Sequence, residues 1–159
     1  MDVKISQCTG VKFMNECAFG TKDPLYLHYH DEEWGQPIYD SLKLFKLIAL
    51  ESQHAGLSWL TILKKKESYE QAFYNFDPTK ISKMTTEDID RLMTFPNIVH
   101  NRKKIEAIVS QAQGYFDIEK DYGSFSDFLW SFVDYKPIDC AYVTSSDRFT
   151  VDERATKLS

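Results

Sequence analysis

Over residues 101–123, Ile105, Ile108, Val109, Ala112 and Phe116 recur at steps of three or four. That spacing lays apolar side chains along one face of a helix, and a face of that length has to be buried against other elements. The remainder of the chain supplies more helices and no strands. Asp40 is placed to cap a helix carrying Leu44, Phe45, Leu47 and Ile48, running to about Ala55 with Gly56 as its stop. Ser58 is placed to cap the next, in which Trp59, Ile62, Leu63, Tyr69, Phe73 and Phe76 continue the period. Asp77-Pro78 is a cap followed by proline in the first turn. Thr85 with Asp88, and Ser124 with Asp127, have capping-box spacing ahead of Ile89, Leu92 and Met93 and of Phe128, Leu129, Phe132 and Val133. No segment alternates in strand fashion. The expected fold class is all-α.

A chain of 159 residues suits one domain. Residues 1–16 read as a polar extension without the apolar run of a signal peptide or membrane span, and residues 17–159 as the domain. Cys8, Cys17 and Cys140 make no disulfide framework and fit a reducing, cytoplasmic setting. With 19 basic against 24 acidic residues the net charge is −5, which excludes a surface that is basic all round. Nucleic-acid binding would need a local basic face. Aromatic residues make up 14% of the chain, enough for a dense core or a ring-lined pocket.

Four features depart from plain packing. Glu51 falls in line with Leu44, Ile48 and Ala55, where a carboxylate either faces a donor, a cation or a ligand, or reaches solvent from the stripe's edge. Phe19, Tyr26, Tyr29 and Trp34 crowd a run without clear helical or strand period, as a binding surface or as a loop plugging the core. Cys17 and His30 are two metal-ligand types, against four in a structural zinc site, or an unrelated thiol and imidazole. Lys64-Lys65-Lys66 and His100-Asn101-Arg102-Lys103-Lys104 are short basic clusters, each a phosphate contact or a solvated face. The far end adds a fifth oddity. Thr150 with Glu153 opens a helix that has only residues 151–159 in which to form, fewer than the ~12–15 an isolated helix needs. It is an unfinished helix or a frayed tail.

Asp23-Pro24-Leu25-Tyr26, Tyr29-His30-Asp31 and Glu33-Trp34-Gly35 closely resemble the N-terminal signature of the type I 3-methyladenine DNA glycosylases. The match continues through Leu50-Glu51, Gln53, Ala55-Gly56-Leu57-Ser58-Trp59, Ile62-Leu63-Lys64-Lys65 and Tyr69. Beyond these come Phe76-Asp77-Pro78, Ile98, Asn101-Arg102, Lys104-Ile105 and Phe128-Leu129-Trp130-Ser131-Phe132. The resemblance runs from about Cys17 to Ser159.

The resemblance implies an all-helical domain of the helix-hairpin-helix glycosylase superfamily that flips 3-methyladenine out of double-stranded alkylated DNA and hydrolyses its N-glycosidic bond. Glu51 would pair with the polar edge of the base, acting in recognition and electrostatics. Tyr29 and Trp59 would stack on the electron-poor ring, with Tyr26, Trp34 and Phe19 as walls; the family commonly has Trp where Phe19 stands. Leu57 would be the apolar wedge in the vacated space, and Lys64, Lys65, Arg102 and Lys104 would meet the DNA backbone. The family's structural zinc implies Cys17 and His30 as two of four ligands. The second ligand pair, the final hairpin and the following helices are not found before Ser159, so a C-terminally truncated glycosylase is expected. It would act as a monomer, away from membranes. The alternative is a non-catalytic remnant that keeps the base-binding pocket.

Overall fold

The computed structural model describes residues 21–138 and Thr156, and every regular element among them is a helix. The extension over 1–16, Cys8, Cys17, Phe19 and Cys140 lie outside the described residues. Of the helix announced by Thr150 and Glu153 only Thr156 is described, as helical and exposed. Among the described residues no helix is long and apolar enough to cross a membrane.

Side-chain caps start most of the helices, at Asp40, Ser58, Asp77, Thr85 and Ser124 as read from the sequence and also at Asp23 and Asn101. α1 (Pro24–Glu32) begins at Asp23, whose carboxylate accepts the Leu25 amide at 3.0 Å. α2 (Ser41–His54) begins at Asp40, which accepts the Lys43 amide at 2.8 Å. Ser58 caps α3 (Trp59–Leu63), which is followed by α4 (Lys66–Ala72) and a single 3-10 turn at Tyr74–Phe76. Asp77 caps α5 (Pro78–Ile81), and Thr85 and Asp88 form a reciprocal capping box on α6 (Thr86–Leu92). Asn101 caps α7 (Arg102–Tyr122), which stops at Gly123 with φ +82°. Ser124 caps α8 (Phe125–Ser131) through the Asp127 amide at 3.1 Å. Only that half of the expected box is formed, and the next amide, of Phe125, donates to Glu119 Oε1 at 3.3 Å.

Three departures have physical causes. The segment around Tyr26 and Tyr29 is helical where no period was legible. α1 buries Tyr29 alone, too little apolar surface to print a stripe. The helix expected over 59–76 is broken twice. Lys64 and Lys65 tighten into a turn, and Tyr74, Asn75 and Phe76 take φ of 53°, 55° and 58°. Left-handed non-glycine residues cost roughly 1–2 kcal/mol each, and the reversal lets Phe73 and Phe76 both be fully buried. On α7 the buried stripe runs Ile105, Ile108, Val109, Ala112 and then Tyr115, with Phe116 partly exposed. Tyr115 turns inward because Phe45 of α2 and Phe125 of α8 meet its ring at 5.6 and 4.9 Å between centroids.

α7 is the central helix, packed on α2, α5, α6 and α8, and α1 lies on α3. The end of α2 is tied to the start of α7 by a polar clasp within the apolar core. Gln53 is fully buried. Its amide donates to the Lys104 carbonyl at 3.0 Å, and its Oε1 accepts the Tyr69 hydroxyl at 3.3 Å. That hydroxyl accepts the Val99 amide at 3.1 Å. Lys104 Nζ donates to the Gln53 and Ala55 carbonyls, both at 2.7 Å, and so satisfies the last turn of α2.

Tyr69→Phe leaves the Val99 amide and Gln53 Oε1 without that partner inside the core. The expected loss is about 1–3 kcal/mol of stability. Urea unfolding should show a lower midpoint at unchanged slope; an unchanged midpoint would contradict the clasp.

Candidate active site

The end of α2, the turn after it and the start of α3 form one side of a recess, and α1 forms the other. α2 runs to His54, and the turn closes with Gly56 at φ +76° and a bond from the Leu57 amide to the His54 carbonyl at 2.7 Å. A side chain at Gly56 would meet nothing within 4 Å, so its φ is what calls for glycine. The turn leaves Leu57 partly exposed at its tip and makes Trp59 the first residue of α3, with its ring buried.

α1 brings up Tyr26 and Tyr29. Tyr29 meets Trp59 at 5.5 Å between centroids, tilted by 54°, and Tyr26 meets Tyr29 at 6.3 Å. With one buried side chain, α1 depends on ion pairs at its two ends. Asp23 binds Lys64 Nζ at 2.8 Å, and Glu33 binds Lys66 Nζ at 2.9 Å. The Lys64 hydrogen bond holds the Asp23 carboxyl below the usual range.

For Glu51 the structure selects the second of the two readings, a carboxylate reaching solvent from the edge of the stripe. The buried stripe of α2 is Phe45, Ala49 and Gln53, with Leu50 beside it. Leu44 and Ile48 are half-buried, and Glu51 lies on the flank with its side chain 49% exposed. The carboxylate therefore keeps its solvation while edging the recess. Its partner is His54, whose Nδ1 stands 3.6 Å from Oε2. The Tyr29 hydroxyl is pushed up to about 12, first by burial and then by the negative charges of Glu51 and Glu33. The Tyr29 hydroxyl therefore stays protonated well into the alkaline range, able to donate a hydrogen bond, with the charge of Glu51 close enough to be felt. The recess presents a phenol donor, a carboxylate acceptor and an indole face together. The Trp59 indole N–H is buried with no hydrogen-bond acceptor among the described residues.

Other expected site residues lie elsewhere or are engaged. Trp34 stacks on His30 at 5.6 Å and 17°, at the far end of α1, and its amide donates to the Tyr29 carbonyl at 2.8 Å. His30 Nδ1 is 2.9 Å from Asp31 Oδ1. Cys17 and Phe19 lie outside the described residues, and among those described no three potential ligands gather at one point. On these residues the geometry supplies one of the expected zinc ligands, short of a site. Lys64 is held by Asp23, and Lys65 Nζ reaches the Asn97 carbonyl at 3.3 Å. Arg102 lies between Asp90 and Glu106. Lys104 has a different role from the expected one, as the cap of α2.

Two residues were not singled out by sequence reasoning. Gln53 carries no signal until its burial is known. His54 had one: it stands three residues after Glu51 on the same helix, within side-chain reach. A cavity of about 220 Å³ opens beside the rings, floored by Leu47, Leu50, Ile62 and Leu63, with Tyr29 and Trp59 in its wall and Glu51 outside it.

Fold and recess together define an all-α domain with an aromatic, carboxylate-edged receptor where two helices meet. Residues 19–159 match the family model for methyladenine glycosylase, and the chain belongs to that family. The DNA-3-methyladenine glycosylase of Haemophilus influenzae is 53% identical over 122 residues, 77% of this chain and 66% of the relative. DNA-3-methyladenine glycosylase 1 of Escherichia coli is 48% identical over 124 residues, 78% of this chain and 66% of the relative. The chain thus spans just under two thirds of the length of these curated relatives. A solved structure of 3-methyladenine DNA glycosylase I from Staphylococcus aureus, described as the basis of its 3-methyladenine recognition, superposes with a TM-score of 0.90 at 73% identity. It covers 92% of this chain and 78% of that one.

The Tyr29 shift has a measurable consequence. An unfolded tyrosine ionises near 10.0, and folded Tyr29 near 12. The unfolded state therefore loses its proton first, so Tyr29's contribution to stability is whole below about pH 10 and falls away as pH rises towards 12. Tyr29→Phe should remove one late-titrating phenol from the phenolate absorbance and make the alkaline loss of stability shallower. Loss of a phenol titrating at the ordinary value would contradict the assignment.

Proposed function

We propose that this chain is a base-excision glycosylase that recognises 3-methyladenine in double-stranded DNA and hydrolyses its N-glycosidic bond. The observation that carries the reading is the Tyr29–Trp59 ring pair, set beside the Glu51 carboxylate with the phenol held protonated. Family membership and the recognition named for the Staphylococcus aureus relative support the choice of base.

The chemistry asks little of an acid or base. Adenine methylated at N3 carries positive charge while attached to the sugar, so the bond from C1′ to N9 is already weak. It breaks with its electron pair leaving on the base, and water adds at C1′ with loss of a proton. The protein's task is to extrude the nucleotide and hold the base. Glu51 accepts from the polar edge of the base, and the Tyr29 hydroxyl donates to it. That donor–acceptor pair selects by hydrogen-bond pattern. Trp59 and Tyr29 offer ring faces to an electron-poor purine, with Tyr26 and Phe19 as the surrounding wall, while Trp34, stacked on His30, stays outside it. Leu57, at the tip of its turn, enters the vacated stack.

Lys64, Lys65 and Arg102 serve the phosphate backbone by exchanging partners. Exposed ion pairs are worth about 0–1 kcal/mol, so the exchange is cheap. Two short clusters of this kind reconcile a net charge of −5 with a DNA substrate. We assign Lys104 to the scaffold. Zinc through Cys17 and His30 belongs to the proposal as a structural element only, and metal analysis of the purified chain should find less than one zinc per chain. The enzyme is proposed to act as a cytoplasmic monomer.

Release of 3-methyladenine from methylated duplex DNA tests the reading. Glu51 is half-exposed, so Glu51→Gln should leave the fold intact while slowing release roughly tenfold or more, the scale of a lost charge-assisted hydrogen bond. Trp59→Ala should slow it by a comparable factor through the lost stack. Release that neither change reduces would overturn the pocket assignment. Binding of the free base without release from DNA would make the chain a base-binding module.

A further inference from the structure

His54 touches three parts of the recess at once. Its Nδ1 stands 3.6 Å from Glu51 Oε2, and both side chains are partly exposed, at 42% and 49%. Its ring meets Trp59 edge-on, at 5.8 Å between centroids and 74°. Its carbonyl accepts the Leu57 amide at 2.7 Å, which closes the turn carrying the proposed wedge. Lys104, the cation packed against this end of α2, is held by the Gln53 and Ala55 carbonyls at 2.7 Å. Among the described residues, His54 is therefore the basic side chain facing Glu51.

We infer that His54 is a positioning residue for base recognition, orienting the Glu51 carboxylate toward the base edge while steadying the Trp59 ring. The inference rests on the recess being the base receptor proposed above. A half-exposed glutamate has many rotamers open to it, and fixing them on binding costs entropy that a preset partner removes in advance. At 3.6 Å the imidazole is too far for a good hydrogen bond, so it confines the carboxylate without saturating it. The acceptor lone pairs remain open to a ligand. Trp59 is held from two helices, by Tyr29 of α1 and His54 of α2.

A double-mutant cycle on the full chain tests this, with Kd for free 3-methyladenine as the readout. His54→Ala should weaken binding roughly tenfold with little change in melting temperature. In a Glu51→Gln background the same substitution should cost less than about twofold, because the group it orients is gone. His54→Gln, which keeps a hydrogen-bond donor near the carboxylate, should recover most of the affinity. Equal losses in both backgrounds would overturn the inference in favour of a merely structural role, and so would no loss in either. Failure of the underlying reading shows in other arms: wild-type chain that does not bind, or binding indifferent to Glu51→Gln, overturns both.

Discussion

The recess exists because the end of α2 is held to the start of α7. The last turn of a helix leaves carbonyls without intrahelical donors, and here Lys104 supplies donors from the first turn of α7. Gln53 returns the bond to the Lys104 carbonyl and engages Tyr69, which takes the Val99 amide just before α7 begins. Each polar group in this set has a partner, which is the condition under which a buried network rigidifies a core rather than weakening it. Glu51, His54, Leu57 and Trp59 all lie within six residues of Gln53 and inherit its position.

The opposite wall is held differently. α1 buries one residue, Tyr29, and its ends rest on Asp23–Lys64 and Glu33–Lys66. Partly exposed pairs of this kind are individually weak and screened by salt. Tyr29 is thus both the anchor of α1 and the donor in the recess. The rigid wall carries the carboxylate and indole, and the lightly held wall carries the tyrosines, a division that suits a site a base has to enter.

Helix starts are legible in the sequence at Asp40, Ser58, Asp77, Thr85 and Ser124, each of which bonds an amide of the first turn. Asp23-Pro24 is the same signal as Asp77-Pro78 and opens α1, but with no apolar stripe behind it the sequence does not announce a helix there. The breaks after Leu63 and at Tyr74–Phe76 were illegible because tertiary burial of Phe73 and Phe76 outweighs local preference. The rings of Tyr26, Tyr29 and Trp59 meet, and Glu51 stands beside His54 on the flank of α2, the edge position that was one of the two its spacing allowed. Partners such as Asp90 for Arg102 come from distant helices, and no spacing rule in the sequence announces them.

The central claim is that the Tyr29–Trp59 pair beside Glu51 is where an alkylated purine binds. The chain has three tryptophans, and their environments differ sharply. Among the described residues the buried Trp59 indole N–H has no hydrogen-bond acceptor, whereas that of Trp130 donates to the Ile38 carbonyl at 2.7 Å against a stacked Tyr39. Titration of ¹⁵N-labelled chain with 3-methyladenine, read at the indole N–H signals, separates the two directly. The Trp59 signal should move most and the Trp130 signal should stay in place. Saturable binding that leaves Trp59 unmoved, or that shifts Trp130 instead, would contradict the account.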